Sequence, residues 1–291
     1  MHNVKTGLVL EGGAMRGLFT AGVIDVLMEH GVAFDGMIGV SAGAAFGCNY
    51  KSNQPGRVVR YLTKYVSDPR YGGLCCWLRT GDLFNAQFCY HEIPDKLDPF
   101  DAETFRQSPM AFYLVCTDVR TGRPVYKKCD VMDETGVEWV RASASMPLAA
   151  RVVEVEGYKL LDGGLADSIP LRYLENQGYG RNVVILTQPE GFVKKKNRML
   201  PAVRAALRQY PKVADTLARR HTVYNETRAY VAMRQREGAV YAIYPDAPLE
   251  IGHYERDPER LRAVYQRGRA AGAQHLEAVC AFLERPAAER I

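Results

Sequence analysis

Residues 5–43 read KTGLVLEGGAMRGLFTAGVIDVLMEHGVAFDGMIGVSAG, and this stretch decides the fold. Its first part, residues 6–11, is an apolar run that predicts a buried strand. Residues 15–30 place apolar side chains at helical spacing and end before a glycine, which predicts a helix. Residues 36–40 predict a second strand, and residues 42–50 predict a buried helix. Strand, helix, strand and helix in this order indicate an α/β fold with a mostly parallel sheet.

Later segments add strands to this fold. Residues 111–117 and 123–128 flank a turn and predict a hairpin, and residues 182–187 predict another buried strand. Residues 70–105 have no clean period and are interrupted by glycine and proline, so they predict an irregular crossing segment or lid. From about residue 198 onward the pattern becomes helix-rich, with one short strand predicted at 239–244.

Composition excludes several classes of protein. The 291 residues are 47% apolar and 24% charged, which are values of a globular protein and not of a disordered one. The longest uncharged stretch, residues 36–50, is too short and too polar to span a bilayer. The N-terminus lacks the features of a signal peptide, so a cytoplasmic location is predicted. The seven cysteines lack paired spacing, which favours reduced thiols over disulfides or a zinc site.

Charge is distributed unevenly along the chain. Residues 1–191 carry a net charge of −3, whereas residues 192–291 carry +8. This basic region, which includes Lys194-Lys195-Lys196, is compatible with peripheral contact with an anionic membrane at the inner face. It is equally compatible with a solvated helix face. No nucleic-acid-binding signature accompanies the charge, so no nucleic-acid partner is expected.

Three motifs carry chemistry. The first is Gly39-Val40-Ser41-Ala42-Gly43, a G-x-S-x-G between a predicted strand and a predicted helix. In a nucleophile elbow, small flanking residues such as Gly39 and Gly43 permit a strained turn that projects the serine hydroxyl. The alternative is a tight turn with an idle serine.

The second motif is Glu11-Gly12-Gly13-Ala14-Met15-Arg16-Gly17, again between a strand and a helix. A Rossmann fingerprint would need glycine where Ala14 stands, and a P-loop would need Lys and Ser/Thr after Gly17. A glycine-rich turn can instead present backbone N–H groups to an oxyanion. A packing turn without function remains the alternative.

The third motif is Asp162-Gly163-Gly164 at a predicted strand end. Its two glycines would let the backbone approach closely and leave the carboxylate open to a cleft. Serine is a poor nucleophile without a base, and an adjacent aspartate can supply one. An ordinary turn aspartate is the alternative interpretation.

This ordered set resembles the patatin-like phospholipase family, in a bacterial subgroup with a helical C-terminal extension. The run Ala142-Ser143-Ala144-Ser145-Met146-Pro147 ahead of the D-G-G adds to the resemblance. The resemblance implies a three-layer α/β/α fold with a catalytic domain at residues 5–191. It also implies a helix-rich basic extension, residues 192–291, packed on that domain.

The same resemblance implies hydrolysis of lipid acyl esters by a Ser–Asp dyad through an acyl-enzyme. Ser41 would be the nucleophile and Asp162 the base, with the glycine loop as the oxyanion hole and Arg16 helping to hold that loop. No metal or organic cofactor is implied. The family usually has a third glycine where this chain has Ala14, and a positive φ there would be strained by about 1 kcal/mol or more.

Three other functions stay open at this level. One is an α/β-hydrolase-type esterase with a Ser–Asp–His triad, for which His253 is the candidate histidine. The very early position of Ser41 in the chain argues against it. The second is a non-catalytic lipid-binding or regulatory protein. The third is transfer of the acyl group to an alcohol rather than to water, which the motifs do not separate from hydrolysis because both share the acyl-enzyme. The sequence leaves the headgroup, the acyl-chain length and the oligomeric state undetermined.

Overall fold

The computed structural model describes residues 4–197 and 200–284. Its centre is an eight-stranded sheet in the order β5-β6-β3-β2-β1-β7-β8, with β4 paired to β3. In chain order the strands are β1 Lys5–Leu10, β2 Gly36–Val40, β3 Ala111–Asp118, β4 Pro124–Lys128, β5 Val153–Val155, β6 Tyr158–Asp162, β7 Tyr179–Ile185 and β8 Val240–Ile243.

Ten α-helices lie in the described part of the chain. They are α1 Gly17–Glu29, α2 Ala42–Lys51, α3 Arg57–Tyr65, α4 Leu74–Thr80, α5 Ala102–Gln107, α6 Glu134–Ser143, α7 Leu171–Asn176, α8 Leu200–Ala206, α9 Pro211–Arg236 and α10 Pro258–Glu284. Two 3-10 turns, Ala14–Arg16 and Gly163–Leu165, and a π-helical segment, Phe88–Leu97, complete the described helical elements.

Helices cover both faces of the sheet, so the fold has three layers, as predicted. Successive strand residues point to opposite faces. Leu8 and Leu10 of β1 therefore pack in a core with α1, α2 and α10, whereas Val9 packs on the other side with α7 and α9. The sheet is mostly parallel: β1, β2, β3, β7 and β8 run the same way, and β4, β5 and β6 pair antiparallel.

Sheet register brings the ends of three motif segments to one edge. Leu10 of β1 pairs with Gly39 of β2 and with Ile185 of β7. On the far side of β2, Val40 pairs with Val115 of β3, and the next β3 residue pairs with Asp162 of β6. The residues that follow β1 and β2 therefore lie beside the end of β6.

The C-terminal region is joined to the same sheet. Strand β8 pairs in parallel with β7, and α10 packs closely on α1. A Cβ at Gly22 of α1 would lie 2.2 Å from the carbonyl oxygen of Tyr265, and one at Gly268 would lie 2.1 Å from that of Phe19. These glycines therefore set how closely the two helices approach. Residues 198, 199 and 285–291 of the predicted extension lie outside the described residues.

The prediction for residues 70–105 was wrong in part. The segment contains helices α4 and α5 and the π-helical turns, where an irregular crossing was expected. Helix α4 has only seven residues, and glycines with positive φ, Gly73 and Gly81, flank it. Pro94 lies inside the π-helical segment. Helices this short do not show a helical repeat of apolar residues in the sequence, and the glycines at their ends or a proline within them interrupt the pattern further.

Candidate active site

Ser41 stands on a strained turn between β2 and α2. Its backbone has φ 55° and ψ −123°, a conformation that costs a non-glycine residue free energy. The flanking glycines are sterically required, because a Cβ at Gly39 would lie 2.4 Å from the Gly43 carbonyl oxygen. A Cβ at Gly43 would lie 2.5 Å from that of Leu10. The G-x-S-x-G sequence thus forms the sharp strand–helix turn that its spacing predicts.

Ser143, at the end of α6, holds this turn. The backbone N–H of Ser41 donates to Ser143 Oγ at 3.0 Å. The same hydroxyl donates to the carbonyl oxygen of Val115 in β3 at 2.6 Å. The hydroxyl is fully buried and links the turn to the neighbouring strand. The sequence showed this serine only as part of a run near the D-G-G motif and gave it no role.

Asp162 ends β6 and is buried. Its Oδ1 accepts a hydrogen bond from the N–H of Gly164 at 2.7 Å, and its backbone oxygen accepts one from Thr117 Oγ1 at 2.8 Å. Its Oδ2 is buried without a partner that has good hydrogen-bond geometry. Gly163 must be glycine, because a Cβ there would lie 2.1 Å from the Val115 carbonyl oxygen.

The environment of Asp162 sets its proton affinity. Burial raises the pKa of its carboxyl above the ordinary value, and this effect outweighs the others. The nearby Ser41 hydroxyl, the Arg220 guanidinium and the Gly164 N–H all lower that pKa. Ser41 and Asp162 are thus neighbours, and the carboxyl binds a proton more readily than an exposed aspartate does.

The glycine loop runs along Ser41. A Cβ at Gly12 would lie 3.0 Å from Ser41 Cβ, and one at Gly13 would lie 2.8 Å from Thr187 Oγ1. Gly17 likewise contacts Ala42, where an added Cβ would lie 2.8 Å from the alanine Cβ. Among the described residues, the N–H groups of Gly12 and Gly13 donate to no protein acceptor. Two backbone donors therefore remain free beside the serine.

Ala14 adopts the strained conformation considered from the sequence. Its φ is 49°, in the left-handed region that favours glycine. Arg16 closes the 3-10 turn by donating its N–H to the carbonyl oxygen of Gly13 at 3.1 Å. Its side-chain Nε is buried and has no hydrogen-bond partner.

Glu11 fixes the glycine loop through its hydrogen bonds. This buried carboxylate accepts hydrogen bonds from the N–H of Thr187 at 2.6 Å, from its Oγ1 at 3.1 Å, and from the Tyr224 hydroxyl at 2.6 Å. Tyr224 belongs to α9, so the C-terminal region helps to fix the loop. The sequence alone gives no sign of this contact, because no local pattern pairs residues 213 positions apart.

A cavity of about 360 Å³ opens beside Ser41. Its lining is mainly apolar and includes Phe46, Leu62, Tyr71, Phe84, Tyr90 and Met146. Such a wall suits an acyl chain better than a polar ligand. Several of these side chains come from residues 70–105. The segment predicted to be an irregular crossing or lid therefore forms much of the cavity wall.

His253 also lines this cavity. It makes no hydrogen bond to Ser41 or Asp162, the other two members of the triad considered from the sequence. Burial lowers the pKa of its ring, as do the charges of Arg16, Arg220 and Lys194. Of the described residues, no group of three or more His, Cys, Asp or Glu is arranged to hold a metal ion.

A sequence profile described as patatin-like phospholipase matches residues 8–175, which is more than half of the chain. The chain belongs to the patatin-like phospholipase family. All three sequence motifs fall within the matched residues. The family's class of enzyme, a lipid acyl hydrolase, is the class that the resemblance implied.

Similar proteins extend this comparison. A profile described as a domain of unknown function (DUF6363) matches residues 210–284. The "Uncharacterized protein YjjU" of Escherichia coli (strain K12) is 28% identical to this chain and covers 94% of it and 78% of its own length. The "Lysophospholipase nte1" of Aspergillus oryzae is 26% identical over 94% of this chain, but that match spans only 18% of the fungal protein.

Among solved structures, VipD from Legionella pneumophila aligns with a TM-score of 0.47 and 14% identity. The alignment covers 94% of this chain and 67% of VipD. Over the part of the chain that the structure describes, no helix has the length and apolarity needed to cross a membrane.

Proposed function

We propose that this protein hydrolyses fatty-acyl esters of lipids, phospholipids among them, with Ser41 as nucleophile and Asp162 as base. One observation carries the proposal: a serine on a strained strand–helix turn faces a buried carboxylate at the wall of an apolar cavity. Membership of the patatin-like phospholipase family and the likeness to fungal lysophospholipases support lipid esters as substrates.

The first step forms an acyl-enzyme. Asp162 accepts the hydroxyl proton of Ser41 while Oγ bonds to the ester carbonyl carbon, and the carbonyl electron pair moves to the oxygen. The N–H groups of Gly12, Gly13 and Ala14 stabilise that oxyanion. When the tetrahedral intermediate collapses, the alcohol leaves with the proton from Asp162, and the acyl group stays on Ser41.

The second step releases the fatty acid. Asp162 accepts a proton from water as the water oxygen attacks the acyl carbonyl carbon. The second tetrahedral intermediate collapses, Ser41 Oγ leaves, and the proton returns from Asp162 to the serine. The raised pKa of the carboxyl suits this alternation, because a group that must accept and return protons works best when its pKa approaches the working pH.

Hydrolysis of a chromogenic short-chain ester tests the dyad. We expect Ser41→Ala to abolish turnover and Asp162→Asn to lower kcat by about 10²–10⁴, the usual contribution of a general base. His253→Ala is the control and should stay near wild type. Turnover that survives Ser41→Ala would refute the nucleophile. Loss of turnover in a well-folded His253→Ala variant would favour the triad.

Exposed apolar side chains near the cavity support peripheral contact with a lipid surface. Leu74 and Leu78 of α4 are 67% and 71% exposed, and Leu148 is 49% exposed. The indole N–H of Trp77, also on α4, donates to the Leu148 carbonyl oxygen at 2.8 Å, so α4 lies beside the segment that carries Leu148. We propose that these three exposed leucines form one patch. Isolated exposed leucines are ordinary, but a contiguous patch marks a contact surface.

Vesicle sedimentation tests this contact. Leu78→Ser should lower binding to vesicles that contain phosphatidylglycerol. Val131→Ser removes an exposed apolar side chain that lies outside this patch and should bind as the wild type does. Equal binding by both variants would contradict a role for the patch.

A further inference from the structure

Basic side chains from the C-terminal region converge on the candidate active site. Lys194 lies in the loop after β7, and Arg220 lies on α9. The charges of both, and that of Arg16 in the glycine loop, act on His253 of the cavity wall and lower the pKa of its ring. In residues 4–197 and 200–284, neither Lys194, Arg220 nor Arg16 forms an ion pair.

Lys194 is held in place by its backbone. Its N–H donates to Asn225 Oδ1 at 2.8 Å, and Asn225 Nδ2 donates to its carbonyl oxygen at 3.0 Å. Its ammonium nitrogen lies 4.3 Å from the centre of the Tyr224 ring, whose hydroxyl reaches Glu11 beneath the glycine loop. The next residue, Lys195, is exposed, so Lys194 alone in this pair is turned toward the site.

The surroundings of Lys194 disfavour its positive charge. Burial, together with the charges of Arg220, Arg16 and Arg228, lowers the pKa of Lys194 to about 8, while Glu11 acts in the opposite direction. Glu11 offsets only part of this positive charge, because it is one carboxylate beside the three cations Lys194, Arg220 and Arg16. Unpaired cations kept together in a partly buried site favour the binding of an anion.

Arg220 brings this charge next to the dyad. Its Nε donates to the Gly164 carbonyl oxygen at 2.5 Å. A Cβ at Gly164 would lie 3.5 Å from a terminal nitrogen of Arg220 and 3.0 Å from Asp162 Oδ1. In the described structure its terminal nitrogens make no hydrogen bond. Arg16 Nε, buried and without a partner, adds a further unused donor.

We propose that Lys194 and Arg220, with Arg16, form an anion subsite that binds the phosphate of a lipid headgroup while the acyl chain enters the apolar cavity. This inference rests on the proposed function of the same site. A phosphate offers several acceptor oxygens to Lys and Arg donors. Because Lys194 and Arg220 lie beyond residue 175, where the family match ends, the C-terminal region sets the headgroup preference.

Matched substrates test the subsite. A 1-acylglycerol 3-phosphate and a 1-monoacylglycerol with the same short acyl chain differ only in the phosphate. We expect Lys194→Met to lower the ratio of their kcat/KM values at least about tenfold, mainly through the KM of the phosphate-bearing substrate, since a charged hydrogen bond contributes this much to binding. Lys194→Arg should retain most of the ratio, and the exposed control Lys195→Met should leave it unchanged.

A binding measurement separates failure of the subsite from failure of the proposed reaction. In the Ser41→Ala background, calorimetry with the acylglycerol phosphate should show binding that Lys194→Met weakens about tenfold or more. Inorganic phosphate, used as a second ligand, should bind more weakly than the lipid.

Four results have definite meanings. An unchanged substrate ratio in Lys194→Met, or an equal loss in Lys195→Met, would overturn the subsite. Inorganic phosphate that binds as tightly as the lipid would overturn the headgroup assignment in favour of free phosphate. A wild-type protein that cleaves neither ester, yet binds the acylglycerol phosphate through Lys194, would overturn the proposed reaction and support the subsite.

Discussion

Replacing Ser143 by alanine removes one hydroxyl that serves two buried backbone groups. The Ser41 N–H loses its acceptor, and the Val115 carbonyl oxygen loses its donor. Ser143 is fully buried, so water cannot take over either hydrogen bond without rearrangement. The variant therefore leaves two orphaned polar groups at the strained turn that carries Ser41.

The expected cost follows from these two groups. A buried donor or acceptor left without a partner costs about 1–3 kcal/mol, so the two groups orphaned by Ser143→Ala should lower the free energy of unfolding by about 2–6 kcal/mol. Because the unfolding entropy of a protein of this size is about 0.6 kcal/mol/K, that corresponds to a fall in Tm of about 3–10 °C. The turn should also relax from its strained conformation, so Ser41 should react more slowly with a fluorophosphonate.

Ser145→Ala is the matched control. Ser145 Oγ donates to the Arg141 carbonyl oxygen at 2.8 Å, but that oxygen also accepts the N–H of Ala144. Its loss leaves no orphaned carbonyl and should cost less than about 1 kcal/mol. Urea denaturation followed by circular dichroism gives the stability, and intact-mass spectrometry gives the labelling rate. If Ser143→Ala matched Ser145→Ala in both measurements, the bridging role of Ser143 would be refuted.

Three further predictions follow from backbone strain and from buried carboxyls. Ala14→Gly should raise the free energy of unfolding by up to about 1 kcal/mol in thermal denaturation, because its φ of 49° is strained for alanine; a fall in Tm would contradict this. The rate of ester hydrolysis should fall on acidification with a midpoint above pH 3.8, because burial raises the pKa of Asp162 above that ordinary value. In Arg220→Met, which removes a charge that lowers this pKa, a pH–rate profile should show the fall at still higher pH. Burial raises the pKa of Asp25 to about 6, so the folded state binds its proton more tightly than the unfolded state. The protonated Asp25 carboxyl therefore stabilises the fold fully below about pH 4. This contribution, roughly 2–3 kcal/mol, is lost as the pH rises through about 6. Asp25→Asn should remove this pH dependence of the free energy of unfolding, measured by urea denaturation across the same pH range. An unchanged pH dependence would contradict the role given to Asp25.

Local patterns in the sequence predicted the first half of the fold well. The strand of residues 6–11, the helix before Gly31 and the turn at Ser41 were predicted because each depends on neighbouring residues alone. Gly31 has φ 66°, as the predicted glycine stop of a helix requires. The predicted hairpin around Gly122 is present for the same reason.

The partners of the site could not be predicted in this way. Ser143 contacts Ser41 across 102 positions of the chain, and Tyr224 contacts Glu11 across 213. These pairs arise from the order of the strands and from the packing of α9 on the sheet, and no local period encodes either. In the sequence, Arg220 and Lys194 were recognised only as members of a basic region. Such a pattern does not distinguish a buried basic side chain from a solvated one.

The central claim is that Ser41 is the nucleophile and that Asp162 activates it. Fluorophosphonate labelling, followed by intact-mass detection and peptide mapping, tests this claim most directly. The account predicts a single adduct on Ser41 in the wild type, none in Ser41→Ala, and labelling slowed by about 10²-fold or more in Asp162→Asn. An adduct on another residue, or equal labelling rates in wild type and a folded Asp162→Asn variant, would contradict it.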